Sequence, residues 1–423
     1  MPIPKHTADI TAEVGGQANV DKLRAISRDF RSDTLTVPTD AQLLFALQAS
    51  RGDDVYGEDE ATNQLEARIA RLSGKEAAMF AVSGTMTNQL AIRTHMKQPP
   101  HSVITDHRAH VHLMEAGGIA MFSQATTHAL VPTGTHLSAA DIEAKLELGT
   151  NIHIAPTKLI CLENTLSGII FPQEEAVKIG KLAHSHDIAM HCDGARIWNV
   201  AAAALEAKGL EANEENLQSV LTELLEPFDT ASLCLSKGIG APIGSALVGS
   251  KEFIARAKWF RKAFGGGIRQ SGGLAASADY ALTHHFPRLA ATHALARRLA
   301  EGLKELGCDI LGQVDTNMAS RVTSLSIFLF DHYKQVFFDP SPIGVFLDDV
   351  MASLAGLPEP INIMRSRCVV HHQTSPQAVE DFISTVRSLK EGVKLNKEGI
   401  DGEEKEEANL RQRAVFGGYG HAK

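Results

Sequence analysis

Long apolar runs are missing from this 423-residue chain, and so are paired cysteines and an excess of positive charge. No run approaches the roughly 20 apolar residues of a membrane helix, and the first ten residues lack the apolar centre of a secretory signal. The net charge of −9 argues against nucleic acid or an anionic membrane as the main partner. The five cysteines are widely spread and show no metal-ligand spacing. They predict buried free thiols in a reducing, cytoplasmic compartment.

What the sequence does contain is an alternation of strand-like and helix-like segments. Leu65, Ile69 and Leu72 fall on one helical face that Gly74 can end, and the apolar run 77–82 follows as a buried strand. Further short apolar runs at 158–162, 188–192, 233–235 and 245–248 predict strands, with a helix at 174–186. This order predicts an α/β fold with a mostly parallel sheet covered by helices. We expect an N-terminal extension (1–27), a large domain (28–282), a small α+β domain (283–392) and a charged tail (393–423).

Two charged residues stand at predicted strand ends, where a buried charge is costly unless it is used. Lys237 follows the strand 233–235, and burial would make its amine a nucleophile toward an aldehyde. Asp193 follows the strand 188–192, where a carboxylate can pair with a protonated pyridine nitrogen. Each residue also has an ordinary interpretation, a surface lysine in one case and a helix-capping aspartate in the other. Arg196, three residues after Asp193, could reach the same cavity.

Two further segments suit a flat, phosphorylated ligand. Backbone N–H groups and the Thr85 hydroxyl in Ser83-Gly84-Thr85 lie between a strand and a helix, where a phosphate can bind, although a plain helix cap fits as well. The His110 imidazole can stack on a pyridine ring. His110 and His112 would share one face of a strand, but no third ligand with suitable spacing follows, so we expect no metal site.

Eight ordered blocks, dense over residues 28–280, resemble those of the threonine aldolases, fold type I enzymes that use pyridoxal 5′-phosphate (PLP), and most of all the fungal low-specificity members. The blocks are Phe30-Arg-Ser-Asp-Thr34, Asp53-Asp-Val-Tyr-Gly-Glu58, Ser83-Gly-Thr85, His110 to Glu115-Ala-Gly-Gly118, Leu162-Glu-Asn-Thr165, Cys192-Asp-Gly-Ala-Arg196, Leu235-Ser-Lys-Gly238 and Gly265-Gly-Gly-Ile-Arg-Gln-Ser-Gly272.

The resemblance implies a role for each matching position. Lys237 would be the Schiff-base lysine, Asp193 the partner of the pyridine nitrogen, and His110 the stacking residue. The phosphate would be held by Gly84 and Thr85, and the substrate carboxylate by Ser32, Arg196 and Arg367, with Arg365 as a rival of Arg367. Lys262 and Arg269 would help to bind the phosphate, and Tyr56 would lie near the partner's pocket. The protein would be a homodimer or homotetramer with shared active sites.

One position departs from the family pattern. After Glu163-Asn164-Thr165 the family places a histidine that is thought to contact the substrate β-hydroxyl, whereas this chain has Leu166-Ser167. The first expectation is cleavage of L-threonine or L-allo-threonine to glycine and an aldehyde. The departure leaves open an amino-acid racemase acting on alanine, as in fungal peptide-toxin pathways. A non-enzymatic regulatory protein would be expected to lose Lys237 or Asp193, and both are present.

Overall fold

A computed structural model describes residues 16–166, 168–310, 313–314, 319–320 and 336–398 of the chain. Its centre is a seven-stranded sheet in the order β1-β7-β6-β5-β4-β2-β3. Only β7 runs against its neighbours, β1 and β6, and every other pairing is parallel. The strands are β1 (Ala77–Ala81), β2 (Ser102–Asp106), β3 (Thr126–Leu130), β4 (Thr157–Glu163), β5 (Ala189–Gly194), β6 (Thr230–Cys234) and β7 (Ser245–Gly249).

Helices connect and cover these strands in the described part of the chain. They are α1 (Gly16–Ile26), α2 (Asp40–Leu47), α3 (Glu60–Ser73), α4 (Gly84–His95), α5 (His110–Leu113), α6 (Gly118–Ser123), α7 (Ala139–Glu143), α8 (Gln173–Ser185), α9 (Ile197–Lys208), α10 (Glu214–Leu225), α11 (Lys251–Ala263), α12 (Gly272–His284), α13 (Leu289–Glu305), α14 (Leu347–Ala355) and α15 (Pro376–Glu398). Short 3₁₀ turns lie at Asp33–Leu35, Asp54–Tyr56, Phe286–Arg288 and Ser341–Ile343. The predicted α/β fold with a mostly parallel sheet is confirmed.

Local sequence signals explain where these elements begin and end. The Asp59 side chain accepts the Thr62 N–H and caps α3, which ends at Gly74 in a left-handed conformation (φ 66°). Leu65, Ile69 and Leu72 are buried on one face of this helix, as the spacing predicted. The strands β2, β6 and β7 are buried along their whole length, because helices cover both faces of the sheet.

A second apolar core lies beyond the large sheet. Side chains of α13, α14 and α15 pack there with Phe30 from the start of the chain. A three-stranded sheet borders it, in the order β12 (Arg367–Cys368), β11 (Val336–Asp339) and β8 (Asp309–Ile310). A two-residue pair, β9 (Gln313–Val314) with β10 (Ala319–Ser320), completes the strands in the described ranges. A domain boundary near residue 282 remains a prediction. Of the predicted tail, only the part up to Glu398 is described, and it continues α15.

The composition predicted free, buried cysteines and no membrane-spanning helix. All five cysteines are free and buried, as predicted, and burial raises the pKa of the Cys161, Cys192 and Cys368 thiols. Within the described ranges no helix has both the length and the apolar character needed to cross a membrane.

Candidate active site

Asp193 lies at the carboxyl end of β5, in register with Glu163 of β4 and Ser232 of β6. The strand runs one residue past Asp193, so this carboxylate belongs to the sheet itself and is 3% exposed. Its Oδ1 accepts the Ala195 N–H at 3.0 Å and its Oδ2 accepts the Asn88 side-chain amide at 2.9 Å. A buried carboxylate with two N–H donors is held in a fixed direction at the sheet edge where ligands of open α/β folds bind.

Lys237 follows the next strand, β6, after two residues of loop. Its carbonyl oxygen accepts the Gly240 N–H at 2.9 Å, which closes a tight turn. Gly240 has φ of 73°, and a Cβ there would lie 2.1 Å from the His372 ring. Gly240 therefore serves close packing of this loop against His372. The positive charge of Lys237 acts on His110 and on Asp33, but in each case it influences the pKa less than the hydrogen-bonded partner of that group does.

His110 differs from the expected strand position. It begins the four-residue helix α5, so His110 and His112 do not share a strand face, and that prediction was wrong because the chain turns at Ala109. The His110 backbone N–H donates to Glu163 at 2.8 Å, and its Nδ1 donates to Glu115 Oε1 at 2.9 Å. Burial alone lowers the pKa of His110, but the bond to Glu115 and the charge of Asp193 outweigh it and leave the pKa raised.

Gly84 and Thr85 form the first residues of α4, after the N-cap Ser83. The Ser83 side chain accepts the Met86 N–H, while the N–H groups of Gly84 and Thr85 belong to the helix end that has no intrahelical acceptor. A Cβ on Gly84 would meet no atom within 4 Å, so the space in front of the helix is open. Open space in front of a twelve-residue helix start suits an anion, as predicted.

Arg196 forms a buried bidentate ion pair with Asp33, a residue that the sequence interpretation did not single out. The Arg196 Nε donates to Oδ2 at 2.9 Å and its Nη2 donates to Oδ1 at 2.8 Å. Burial alone would raise the pKa of Asp33, but the Arg196 charge lowers it below its usual range. Ser32 precedes Asp33, and its hydroxyl lies 2.8 Å from that of Thr34. The pair fixes the Arg196 guanidinium while using only two of its five N–H groups.

Arg367 and Arg365 occupy different environments. Arg365 is exposed and has a left-handed φ of 55°, in the turn closed by the bridge between Met364 and Arg367. Arg367 is half-buried on β12. Backbone bonds tie this region to the Ser32 segment, because Phe30 donates to the Asn362 carbonyl and accepts the Val369 N–H. Of the two arginines, Arg367 is the one that is partly buried and held on a strand, and its role in binding the substrate carboxylate stays a prediction.

Lys262, Arg269 and Tyr56 lie in an exposed group on the protein surface. Arg269 Nη1 donates to Asp53 Oδ2 at 3.1 Å. Lys262 and Tyr56 line a surface cavity of about 320 Å³. The loop Gly265–Gly267 joins this group to the first turn of α4, since a Cβ on Gly266 would lie 2.6 Å from the Met86 side chain.

Residues that the sequence interpretation missed connect the predicted ones. Asn88 Nδ2 donates to Asp193 and also to Glu115 Oε1 at 2.9 Å, so one amide joins the partners of Asp193 and His110. Glu115 and Asp33 stand inside blocks that carried the family resemblance, so a signal existed for them. His110, Glu115 and Asp193 also approach one another closely enough to hold a cation in principle. The Asn88 N–H groups already occupy one oxygen of each carboxylate, and the expected absence of a metal stays a prediction.

Comparisons with known proteins agree with this architecture. The family model described as beta-eliminating lyase matches residues 29–325. The chain is 44% identical to the "Probable low-specificity L-threonine aldolase" of Schizosaccharomyces pombe over 360 residues, which cover 85% of this chain and 86% of that protein. It is 42% identical to the low specificity L-threonine aldolase of Saccharomyces cerevisiae over 357 residues, 84% of each protein. The solved threonine aldolase of Leishmania major shares the fold, with a TM-score of 0.66, 20% identity, and coverage of 86% of this chain and 99% of that chain.

The chain therefore belongs to the beta-eliminating lyase family and, within it, to the threonine aldolases. It is accordingly a lyase of a PLP-dependent enzyme class. The roles of individual side chains rest on the geometry described above.

Proposed function

We propose that this chain is a PLP-dependent aldolase that cleaves L-threonine and L-allo-threonine to glycine and acetaldehyde. The observation that carries the proposal is the convergence of Lys237, Asp193 and His110 at the carboxyl ends of β5 and β6 and on α5. These three side chains come from separate parts of the sequence, yet polar atoms of His110 and Asp193 lie within 4.8 Å of each other, and Lys237 follows the strand that pairs with the strand of Asp193. The names of the fungal relatives, low-specificity L-threonine aldolases, support the substrate class.

The donor set around this point fits PLP. Asp193 offers a buried carboxylate for the pyridine nitrogen, and the open helix start at Gly84 and Thr85 offers N–H groups for the phosphate. His110, 30% exposed in its side chain, offers a ring face for stacking. When bound, PLP supplies an electron sink for bond cleavage at the substrate Cα.

Lys237 and the carboxylate-binding residues would handle the amino acid itself. The Lys237 amine would hold the cofactor between turnovers and exchange a proton with the substrate during turnover. The substrate α-carboxylate would be bound by Ser32, Arg367 and the N–H groups of Arg196 that are not bonded to Asp33. Because Asp33 fixes the guanidinium plane, the clamp would be oriented before the substrate arrives.

We infer a homo-oligomer, a homodimer or homotetramer, from the exposed part of the site. Lys262, Arg269 and Tyr56 lie at the surface, with Tyr56 75% exposed. Helix α2 also exposes four large apolar side chains, and exposed apolar groups of this kind mark protein–protein interfaces. These are Leu43, Leu44, Phe45 and Leu47.

Product analysis tests the function directly. The purified protein is incubated with L-threonine, L-allo-threonine and L-alanine, and glycine, acetaldehyde and D-alanine are measured. Glycine and acetaldehyde in equal amounts support the aldolase. The buried, apolar Leu166, 4% exposed after Thr165, favours keeping alanine racemisation as the second candidate, because a racemase needs no contact to a β-hydroxyl. D-alanine without glycine would replace the aldolase by the racemase.

A further inference from the structure

A continuous set of buried polar side chains lies beneath Asp193, between α4 and the strands β5 and β6. Asn88 is 1% exposed, His191 0% and Thr230 1%. Buried polar groups are retained at a cost in desolvation unless each finds a partner. Here the partners form one chain of hydrogen bonds that begins at His95 and ends at the carboxylates of Asp193 and Glu115.

The two carboxylates fix the orientation of the Asn88 amide. Asn88 Nδ2 lies 2.9 Å from Asp193 Oδ2 and 2.9 Å from Glu115 Oε1. Ionised carboxylates only accept hydrogen bonds, so both amide hydrogens are committed. A flipped amide would place its oxygen against two carboxylate oxygens. Asn88 Oδ1 must therefore accept a hydrogen bond from His191 Nε2, at 3.1 Å.

The direction of the remaining bonds follows from this one. Burial lowers the pKa of His191 to about 3, so the ring is neutral and carries its single proton on Nε2. His191 Nδ1 must then accept from the Thr230 hydroxyl at 2.9 Å. The Thr230 oxygen in turn accepts from His95 Nε2, also at 2.9 Å. Every donor faces an acceptor, and all the bonds point toward Asp193 and Glu115.

We propose that Asn88 is a positioning residue that holds Asp193 and the Glu115–His110 pair at a fixed spacing around the cofactor ring, and that His191 and Thr230 act through it by locking its amide. The proposal rests on the proposed function. Asp193 would address the edge of the ring and His110 its face. A single amide that bonds Asp193 and the Glu115 partner of His110 therefore sets their relative placement.

Matched substitutions at Asn88, His191 and Thr230 test whether these residues position Asp193 and His110. Asn88→Leu removes both donors at similar volume, and we expect PLP affinity of the apoprotein to fall more than about tenfold. His191→Leu should lower it roughly threefold to tenfold, and Thr230→Val less. The conservative variants His191→Gln and Thr230→Ser keep a donor toward the next residue and should restore most of the affinity. PLP binding is followed by its visible absorption, together with the pH at which the bound band titrates.

A buried histidine that does not belong to this chain of hydrogen bonds serves as the control. His101 lies directly before β2, is 2% exposed, and its Nε2 bonds the Ser123 carbonyl at 2.8 Å. It is not one of the side chains linked to Asn88. His101→Gln should lower the unfolding midpoint without moving the visible band or its titration. If His191→Leu and His101→Gln alter the band equally, or if Asn88→Leu leaves both affinity and band unchanged, the positioning role is overturned.

Two outcomes separate this proposal from the proposed function. Absence of PLP binding by the unsubstituted protein would remove the proposed function itself. Normal PLP binding and normal cleavage by the unsubstituted protein, with no graded effect along Asn88, His191 and Thr230, would remove the positioning role alone. If Asn88→Leu does not fold, Thr230→Val and Thr230→Ser still test the positioning role, because the first variant removes the Thr230 hydroxyl and the second keeps it.

Discussion

The candidate site has two halves that are built differently. We call the part around Asp193, His110 and Lys237 the ring-facing half, and the part around Gly84 and Thr85 the phosphate-facing half. Around Asp193 the side chains are buried and joined by hydrogen bonds, among them Asn88, Glu115 and His110. Around Thr85 the cationic groups Lys262 and Arg269 are exposed. The ring-facing half is preorganised within one chain, as catalysis by fixed charges requires. The phosphate-facing half is open at the surface of one chain, and in our proposal a second copy would cover it.

The largest effect is expected at the lysine of the ring-facing half. Lys237→Ala removes the amine that would hold PLP, so turnover should fall by more than about 10⁴-fold. Borohydride treatment of the yellow protein should fix the cofactor to the peptide that contains Lys237. Lys208→Ala, at a surface ion pair with Glu223, is the matched control and should leave turnover unchanged. Labelling at any other lysine would contradict the assignment.

Asp193→Asn tests the charge at the same end of the sheet. The variant keeps the side-chain shape but loses the charge that would stabilise a protonated pyridine nitrogen, so turnover should fall by about 10²- to 10³-fold or more. The fold should survive, as judged by circular dichroism. Asp141→Asn, in the capping box at Ser138, changes an aspartate outside the site and should retain near-normal turnover. Near-normal turnover of Asp193→Asn would refute its role.

The exposed half can be tested for sharing between subunits. Arg269→Ala should weaken PLP binding by roughly tenfold, because one charge-assisted contact near the phosphate is lost. If Arg269 serves the partner's site, a 1:1 mixture of Lys237→Ala and Arg269→Ala chains should recover about one quarter of normal activity in statistically mixed dimers. No recovery after denaturation and mixing would place Arg269 in its own subunit's site.

Acid should destabilise the protein in part through two buried histidines beneath Asp193. Burial lowers the pKa of His191 to about 3 and of His95 to about 4, below the usual value of 6.5 for an unfolded chain. The unfolded state therefore binds more protons between these values, so this stability is present above pH 6.5 and is lost as the pH falls. At pH 5.5 the loss is about 1 kcal/mol for each histidine. Urea unfolding at pH 7 and 5.5 measures it, and His191→Gln should flatten the dependence.

The smallest expected effect concerns the segment that departs from the family. Ser167 lies outside the described residues, and the preceding Leu166 is buried. If Ser167 lies in the pocket, Ser167→His should raise aldol cleavage relative to alanine proton exchange by about tenfold, the value of one hydrogen bond to a hydroxyl. Glycine release and deuterium wash-in at the alanine Cα give the two rates. An unchanged or lower ratio would mean that this position does not govern the choice of reaction.

Much of the ring-facing half could be predicted because strand ends are local signals. The apolar runs before Asp193 and Lys237 predicted two buried strands, and the carboxyl ends of parallel strands meet at one sheet edge. The apolar periodicity likewise predicted α3 and its end at Gly74. The reversed strand β7 and the short helix at His110 were beyond such patterns, because pairing direction and a four-residue turn leave no periodic trace.

The sequence by itself determined the main strands and helices, the candidates for binding a cofactor, and the family to which the chain belongs. The tertiary structure alone decided which polar groups meet. Asn88 reaches Asp193 across 105 residues, and Asp33 reaches Arg196 across 163. Hydrogen-bond direction and burial depend on such distant partners, whereas hydrophobic periodicity records only which face of an element is buried. The positioning of the site is therefore a property of the folded chain.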